Sequence, residues 1–108
     1  CPLHDFFTDL AKSNSKEFGK TVAFLERVAD HGPPVNKEKC RYFRNEKAFE
    51  LKPGGVRVMA FWDGGQMIIC SHAFLKKSRK TPKRELTRLK TAKEDYFVAK
   101  QNDELVVD

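Results

Sequence analysis

Two features of this 108-residue sequence could do chemistry: a lone arginine in an apolar strand, and a dense block of lysines and arginines that follows it. Arg57 shares its strand face with Met59 and Phe61, so it is the single charge in an apolar row. Two placements fit it. It can sit at a strand end and point to water, or be fixed beside a cleft, where its planar fork can take a phosphate bidentately. Residues 76–93 hold nine basic side chains and one acidic one, whereas residues 1–75 hold eleven and nine, and residues 94–108 one and five. The balance of +8 in that one short stretch exceeds the net charge of +6 of the whole chain. Such a block can be a solvated helix face. In a small domain, however, single-sign charge carries self-repulsion, and it points to a polyanionic partner, either nucleic acid or an acidic protein surface. Lys76, Lys77, Lys80 and Lys83 come just after His72, at the end of a predicted strand. In antiparallel neighbours the start of one strand lies beside the end of the next, so Arg57 and these lysines are expected to converge.

Other chemistries find little support. His4, His31 and His72 are far apart with no HxxE or HxH spacing, so no metal site and no cofactor are expected. Cys1, Cys40 and Cys70 lack CxxC spacing; neither a disulfide framework nor a zinc cluster is expected, and a reducing cytoplasm is the expected location. No nucleophile elbow is present, although a Ser–His–Asp triad stays open. Both glycine pairs, at 54–55 and 64–65, fall between predicted strands, not between a strand and a helix as a phosphate loop requires. No apolar run approaches the ~18 residues of a membrane span, and the N-terminus has no signal-peptide pattern. Because the sequence begins with Cys, further residues are expected to precede it. His72, alone on a strand, reads first as a structural residue. Its ordinary pKa near 6.5 also makes it an alternative proton acceptor.

The elements that must position these groups follow from periodicity. Leu3, Phe6, Phe7 and Leu10 recur at i, i+3, i+4 and i+7, predicting a helix over 3–12. Asn14 and Glu17 resemble a capping box ahead of a second helix over 15–31, which His31-Gly32-Pro33-Pro34 stops. Tyr42 and Phe43 suggest a strand start. Strands are then predicted over 48–52, 56–62 and 66–74, the last two joined as a hairpin by Asp63-Gly64-Gly65. A strand apolar on both faces, such as 56–62, must be covered on both faces or present a ligand surface at one end. Thr81 as cap and Pro82 as first residue open a final helix, with Leu86, Leu89, Ala92, Lys93, Tyr96 and Phe97 as its buried stripe. One domain is expected over 1–100, followed by an acidic, disordered tail over 101–108.

Residues 49–90, FELKPGGVRVMAFWDGGQMIICSHAFLKKSRKTPKRELTRLK, resemble the core of the RelE/HigB type of bacterial toxin, and more closely its phage-derived HigB-like branch. The most specific pieces are KKSRKTPKREL at 76–86 and WDGG at 62–65, and with ADHGPP at 29–34 the resemblance spans roughly 2–97. It implies an α+β fold of the RelE-like kind, in which an N-terminal helical hairpin and a C-terminal helix pack on a small antiparallel sheet. A first strand is expected to precede the present sequence. The resemblance also implies a ribosome-dependent mRNA endonuclease, held inactive in a hetero-oligomer with an antitoxin that carries a helix-turn-helix domain. The family's strand arginine falls on Arg57, its basic turn on Lys76 and Lys77, and its helix start on Lys83 and Arg84. Position 86 is Leu where some relatives place a catalytic tyrosine, which puts aromatic stacking there in doubt.

In such a reaction the RNA 2′-OH attacks the adjacent phosphate and expels the 5′-oxygen, so no metal is required. The protein must align the attack, take a proton and stabilise charge on the phosphorane. The catalytic assignments are Arg57, Lys77, Lys83 and, as alternative base, His72. Lys52, Lys76, Arg79, Lys80, Arg84, Arg88 and Lys90 are assigned to RNA or ribosome binding. Two other classes remain: a non-enzymatic, ParE-like toxin that binds gyrase, and a nucleic-acid-binding module of the same fold without activity.

Overall fold

Leu3, Phe6, Phe7 and Leu10 turn one face of helix α1 (Pro2–Ser13) toward a sheet, and α2 (Ser15–His31) packs beside it as the other arm of a hairpin. The computed structural model describes residues 2–64, 67–77 and 81–102; the predicted tail beyond 102 lies outside them. Asn14 caps α2 by accepting a hydrogen bond from the Glu17 amide, as expected. The reciprocal half of the capping box is not made. The Glu17 carboxylate instead accepts from the Gly55 amide at 3.2 Å, tying the start of α2 to the turn between two strands. Gly32 ends the helix with φ of +82°, a conformation that glycine adopts without penalty.

Strands β1 (Cys40–Phe43), β2 (Ala48–Leu51), β3 (Val56–Asp63) and β4 (Met67–Leu75) form one antiparallel sheet in sequential order. Helix α3 (Lys83–Gln101) follows. This is an α+β fold consistent with the RelE-like one, and it covers both faces of the sheet as the apolar strands require. On one face Phe49, Leu51, Val56, Val58 and Ala60 meet the helical hairpin, joined by partly buried Phe7, Phe18 and Leu25. On the other, Phe43, Ala48, Met59 and Phe61 meet Leu89 of α3, joined by Leu86, Tyr96 and Phe97.

Two details position the site. A bulge in β4 sets Met59 opposite His72 but Ala60 opposite Cys70, leaving Ser71 as the extra residue. Consequently His72 and Phe74 share the α3 face with Arg57 and Met59. The C-terminal end of α3 is clamped. There Tyr96 and Lys100 donate to the Asp63 carboxylate at 2.6 to 2.7 Å, while Lys93 donates to the carbonyls of Glu46 and Lys47. Lys93 thus belongs to the inward stripe because its stem packs while its head reaches backbone oxygens.

Leu89 is fully buried and is the apolar side chain of α3 set deepest against the sheet. Leu89→Ala is expected to lower stability by about 2–5 kcal/mol through a cavity between helix and sheet, measured as a shifted urea midpoint at unchanged m-value.

Candidate functional site

The chain places four ionisable side chains in the layer between the sheet and the N-terminal half of α3, each almost wholly out of water: Glu50 (3% exposed), Arg57 (8%), His72 (2%) and Glu85 (3%). Register explains the first three. Glu50 pairs with Met59 and Met59 with His72, while Arg57 lies one step along the same face. Glu85 comes from the first turn of α3, four residues before Leu89 and therefore on the same helical stripe.

The Arg57 guanidinium is not directed into bulk water. Its Nη1 donates to the carbonyls of Gly54 and Val56, and its Nε lies 3.7 Å from Glu50 Oε2. The water-facing placement considered for Arg57 is thereby corrected: both a buried carboxylate and the β2–β3 turn hold the group in place. Thr81 donates to Glu50 Oε1 at 2.8 Å. It therefore does not cap α3, which begins after Pro82 without a side-chain cap, because the hydroxyl is used to satisfy the buried carboxylate.

Above this layer lies a cleft of about 390 Å³. Six cationic side chains line it (Lys52, Arg57, Lys76, Lys77, Arg84 and Arg88), together with the two carboxylates Glu50 and Glu85. Phe6, Phe74 and Pro82 give it an apolar wall. The expected convergence of Arg57 with Lys76 and Lys77 is present, helped by the Lys76 amide, which donates to the Gly55 carbonyl at 2.8 Å. Lys83 and Lys90 are exposed on α3 but do not line the cleft. Arg79 and Lys80 lie outside the described residues. Among the described residues, no group of three or more His, Cys, Asp or Glu is arranged to hold a metal ion.

His72 lines a neighbouring groove, not the cleft. Its Nδ1 lies 2.8 Å from Ser71 Oγ, and its Nε2 is 3.7 Å from Glu85 Oε2, too far for a hydrogen bond. Burial holds its pKa below the ordinary value, the Arg88 charge adds to that effect, and Glu85 opposes both. The ring is therefore kept neutral at neutral pH. Burial likewise raises the Cys40 thiol to about 11, with Lys52 opposing, so this cysteine is no nucleophile at neutral pH.

Glu50 and Glu85 were not among the residues assigned from sequence. A signal for Glu85 was present: it is the single acid in the basic block, one helical turn before Leu89. Glu50 gave a weaker one, as the only charge between Ala48 and Leu51.

The neutral His72 carries a stability consequence. In the unfolded chain the imidazole binds a proton near 6.5, whereas in the folded chain it does so only at lower pH. Stability is thus expected to be intact above about pH 7 and to fall as pH drops through 6.5, levelling once the folded form protonates too. Thermal midpoints followed from pH 7.5 to 5.5 should show this fall, and His72→Gln should flatten it.

The family described as Phage derived protein Gp49-like (DUF891) matches residues 5–94, which run from within α1 to within α3 and include every element between them. No curated protein matches the chain. No helix among the described residues is long and apolar enough to cross a membrane.

Proposed function

The chain belongs to the phage-derived Gp49-like family, part of the RelE/HigB-like toxin superfamily whose members are commonly toxins of toxin–antitoxin systems, and from that premise we propose that it is an mRNA endoribonuclease acting on ribosome-bound message. The observation that carries this reading is the cleft, where a buried arginine, anchored by a carboxylate, sits among five further cations. RNA supplies its own 2′-OH nucleophile. The protein has only to hold the phosphate, take the proton and meet the growing charge.

Arg57 suits the last task because its position is set before substrate arrives, so no reorganisation accompanies the change in charge. Lys76, Lys77 and Arg84 stand exposed at the rim and suit contacts to the sugar–phosphate backbone, which give affinity without sequence preference. We assign the proton to Glu50, a cleft carboxylate held by Thr81 and Arg57, ahead of Lys83 or His72, neither of which lines the cleft. The same surface, dense in positive charge, is where an antitoxin with an acidic segment would neutralise the toxin.

Arg57→Ala removes the partner of a buried carboxylate. It is expected to destabilise the fold by about 3–5 kcal/mol, which would confuse any loss of toxicity. Arg57→Lys is the sharper variant, keeping the charge while losing the fork. The gene should be induced in cells and messenger 5′ ends mapped. New ends within translated regions are expected for the parent chain. Single-turnover cleavage, read on variants whose thermal midpoints show them folded at the assay temperature, is expected to drop ~100-fold or more in Arg57→Lys and Glu50→Gln, and far less in Lys83→Ala. Accumulation of relaxed DNA with intact message would instead favour the gyrase-binding class.

A further inference from the structure

Arg88 borders two cavities at once. It lines the cationic cleft, and it also lines a groove of about 310 Å³ between edge strand β4 and α3. The second groove has a different chemistry. Ser71 and His72 come from the β4 bulge, and Thr87, Thr91 and Asp95 stand one turn apart along α3, with Arg88 its single cation. Thr87 donates its hydroxyl hydrogen to the Lys83 carbonyl, leaving the oxygen as an acceptor. The Nε2 of His72 is buried and faces Glu85 at 3.7 Å, so it offers no acceptor to the groove. Hydroxyls and a carboxylate do not suit a phosphate, which Asp95 would repel. They do suit a neutral, planar group rich in hydrogen-bond donors.

RNA carries both chemistries side by side: an anionic backbone, and bases whose edges are read when single-stranded. We propose that this groove receives a guanine base of the RNA whose backbone occupies the cleft, with Asp95 accepting from the base and Thr91 beside it. This inference rests on the reading of the cleft as an RNA site. Guanine follows from the carboxylate, which when ionised has two acceptor oxygens and no donor. Guanine alone presents two adjacent donors, N1–H and N2–H, on one edge. Adenine and cytosine set one amino group beside a bare nitrogen that a carboxylate repels. Uracil offers a single N–H flanked by carbonyls. Arg88, at the junction, is placed to hold the phosphate that joins the two sites.

The test uses the full chain and labelled five-nucleotide RNAs, all uracil except a central 2′-O-methyl nucleotide bearing guanine, adenine, cytosine, uracil or no base. Fluorescence anisotropy is expected to show guanine bound about 5-fold or more tighter than adenine, as good bidentate recognition discriminates. Asp95→Asn should bring guanine to within about 2-fold of adenine and leave the abasic RNA unchanged. Thr91→Val should narrow the gap by less. Both residues are exposed, so folding is not at stake. Lys77→Ala should weaken all five RNAs alike. The inference is overturned if guanine is not preferred, if Asp95→Asn leaves the preference intact, or if it weakens the abasic RNA equally. If the chain binds none of the RNAs, or binds them with no loss in Lys77→Ala, the RNA reading of the cleft fails and takes the inference with it. A base preference that is absent while Lys77→Ala still weakens binding sinks the inference alone.

Discussion

Glu50 and Arg57 approach to 3.7 Å diagonally across β2 and β3, both almost entirely removed from water. Either charge alone in that position would cost several kcal/mol, and even together they do not exceed what two well-packed apolar side chains would contribute. The layer above is arranged around that burden. Thr81 gives its hydroxyl to Glu50, and α3 starts without the side-chain cap that is ordinarily worth about 1 kcal/mol. The β2–β3 turn points the Gly54 and Val56 carbonyls at the guanidinium. Local preference gives way at several positions to keep one arginine fixed, and such concessions concentrate where function demands them.

The remainder of the sheet makes the concession tolerable. Two apolar layers, one under the hairpin and one under α3, supply the cohesion that the ionic layer lacks. The far end of α3 is fastened by Asp63, which Lys100 and Tyr96 hold below the usual carboxylate pKa, and by Lys93 on the β1–β2 turn. With that end secured, the first turns of the helix can carry Glu85 inward and Arg84 and Arg88 outward over an open cleft. The site thus lies at the end of the α3–sheet contact where apolar packing stops.

Periodicity made the elements legible. Leu3 to Leu10 and Phe18 to Val28 have helical spacing and no competing strand period, and Gly32-Pro33-Pro34 leaves the chain no way to continue α2. The strand pairing follows from glycine turns and two-faced apolar runs, and it sets Arg57 beside Lys76 and Lys77 from the sequence itself. What stayed hidden depends on tertiary choices. Thr81-Pro82 has the local chemistry of a cap, and only the presence of Glu50 across 31 residues diverts it. Glu17 has the chemistry of a capping box, and Gly55 diverts it in the same way. Acids in a basic protein read as solvated counter-charges, and the burial of Glu50 and Glu85 overrides that reading. Sequence order sets His72 near the lysines, but the Ser71 bulge and the position of α3 put it in the adjoining groove instead.

The cations of the cleft fall into two physical kinds, and the distinction separates their roles. Arg57 has lost its water already, is held by two carbonyls and a carboxylate, and meets a developing charge with no further ordering. Lys76 and Lys77 are exposed, so each contact they make with a phosphate is discounted by ordering entropy and by salt. Exposed charges therefore serve encounter and affinity, while the buried one can discriminate between ground state and transition state. Arg88 lies between these kinds: about half exposed, yet tethered at 3.4 Å to a buried Glu85 that also faces His72. A side chain so placed can reach a phosphate while keeping its direction. For that reason it forms the boundary between a cleft suited to backbone and a groove suited to something other than charge.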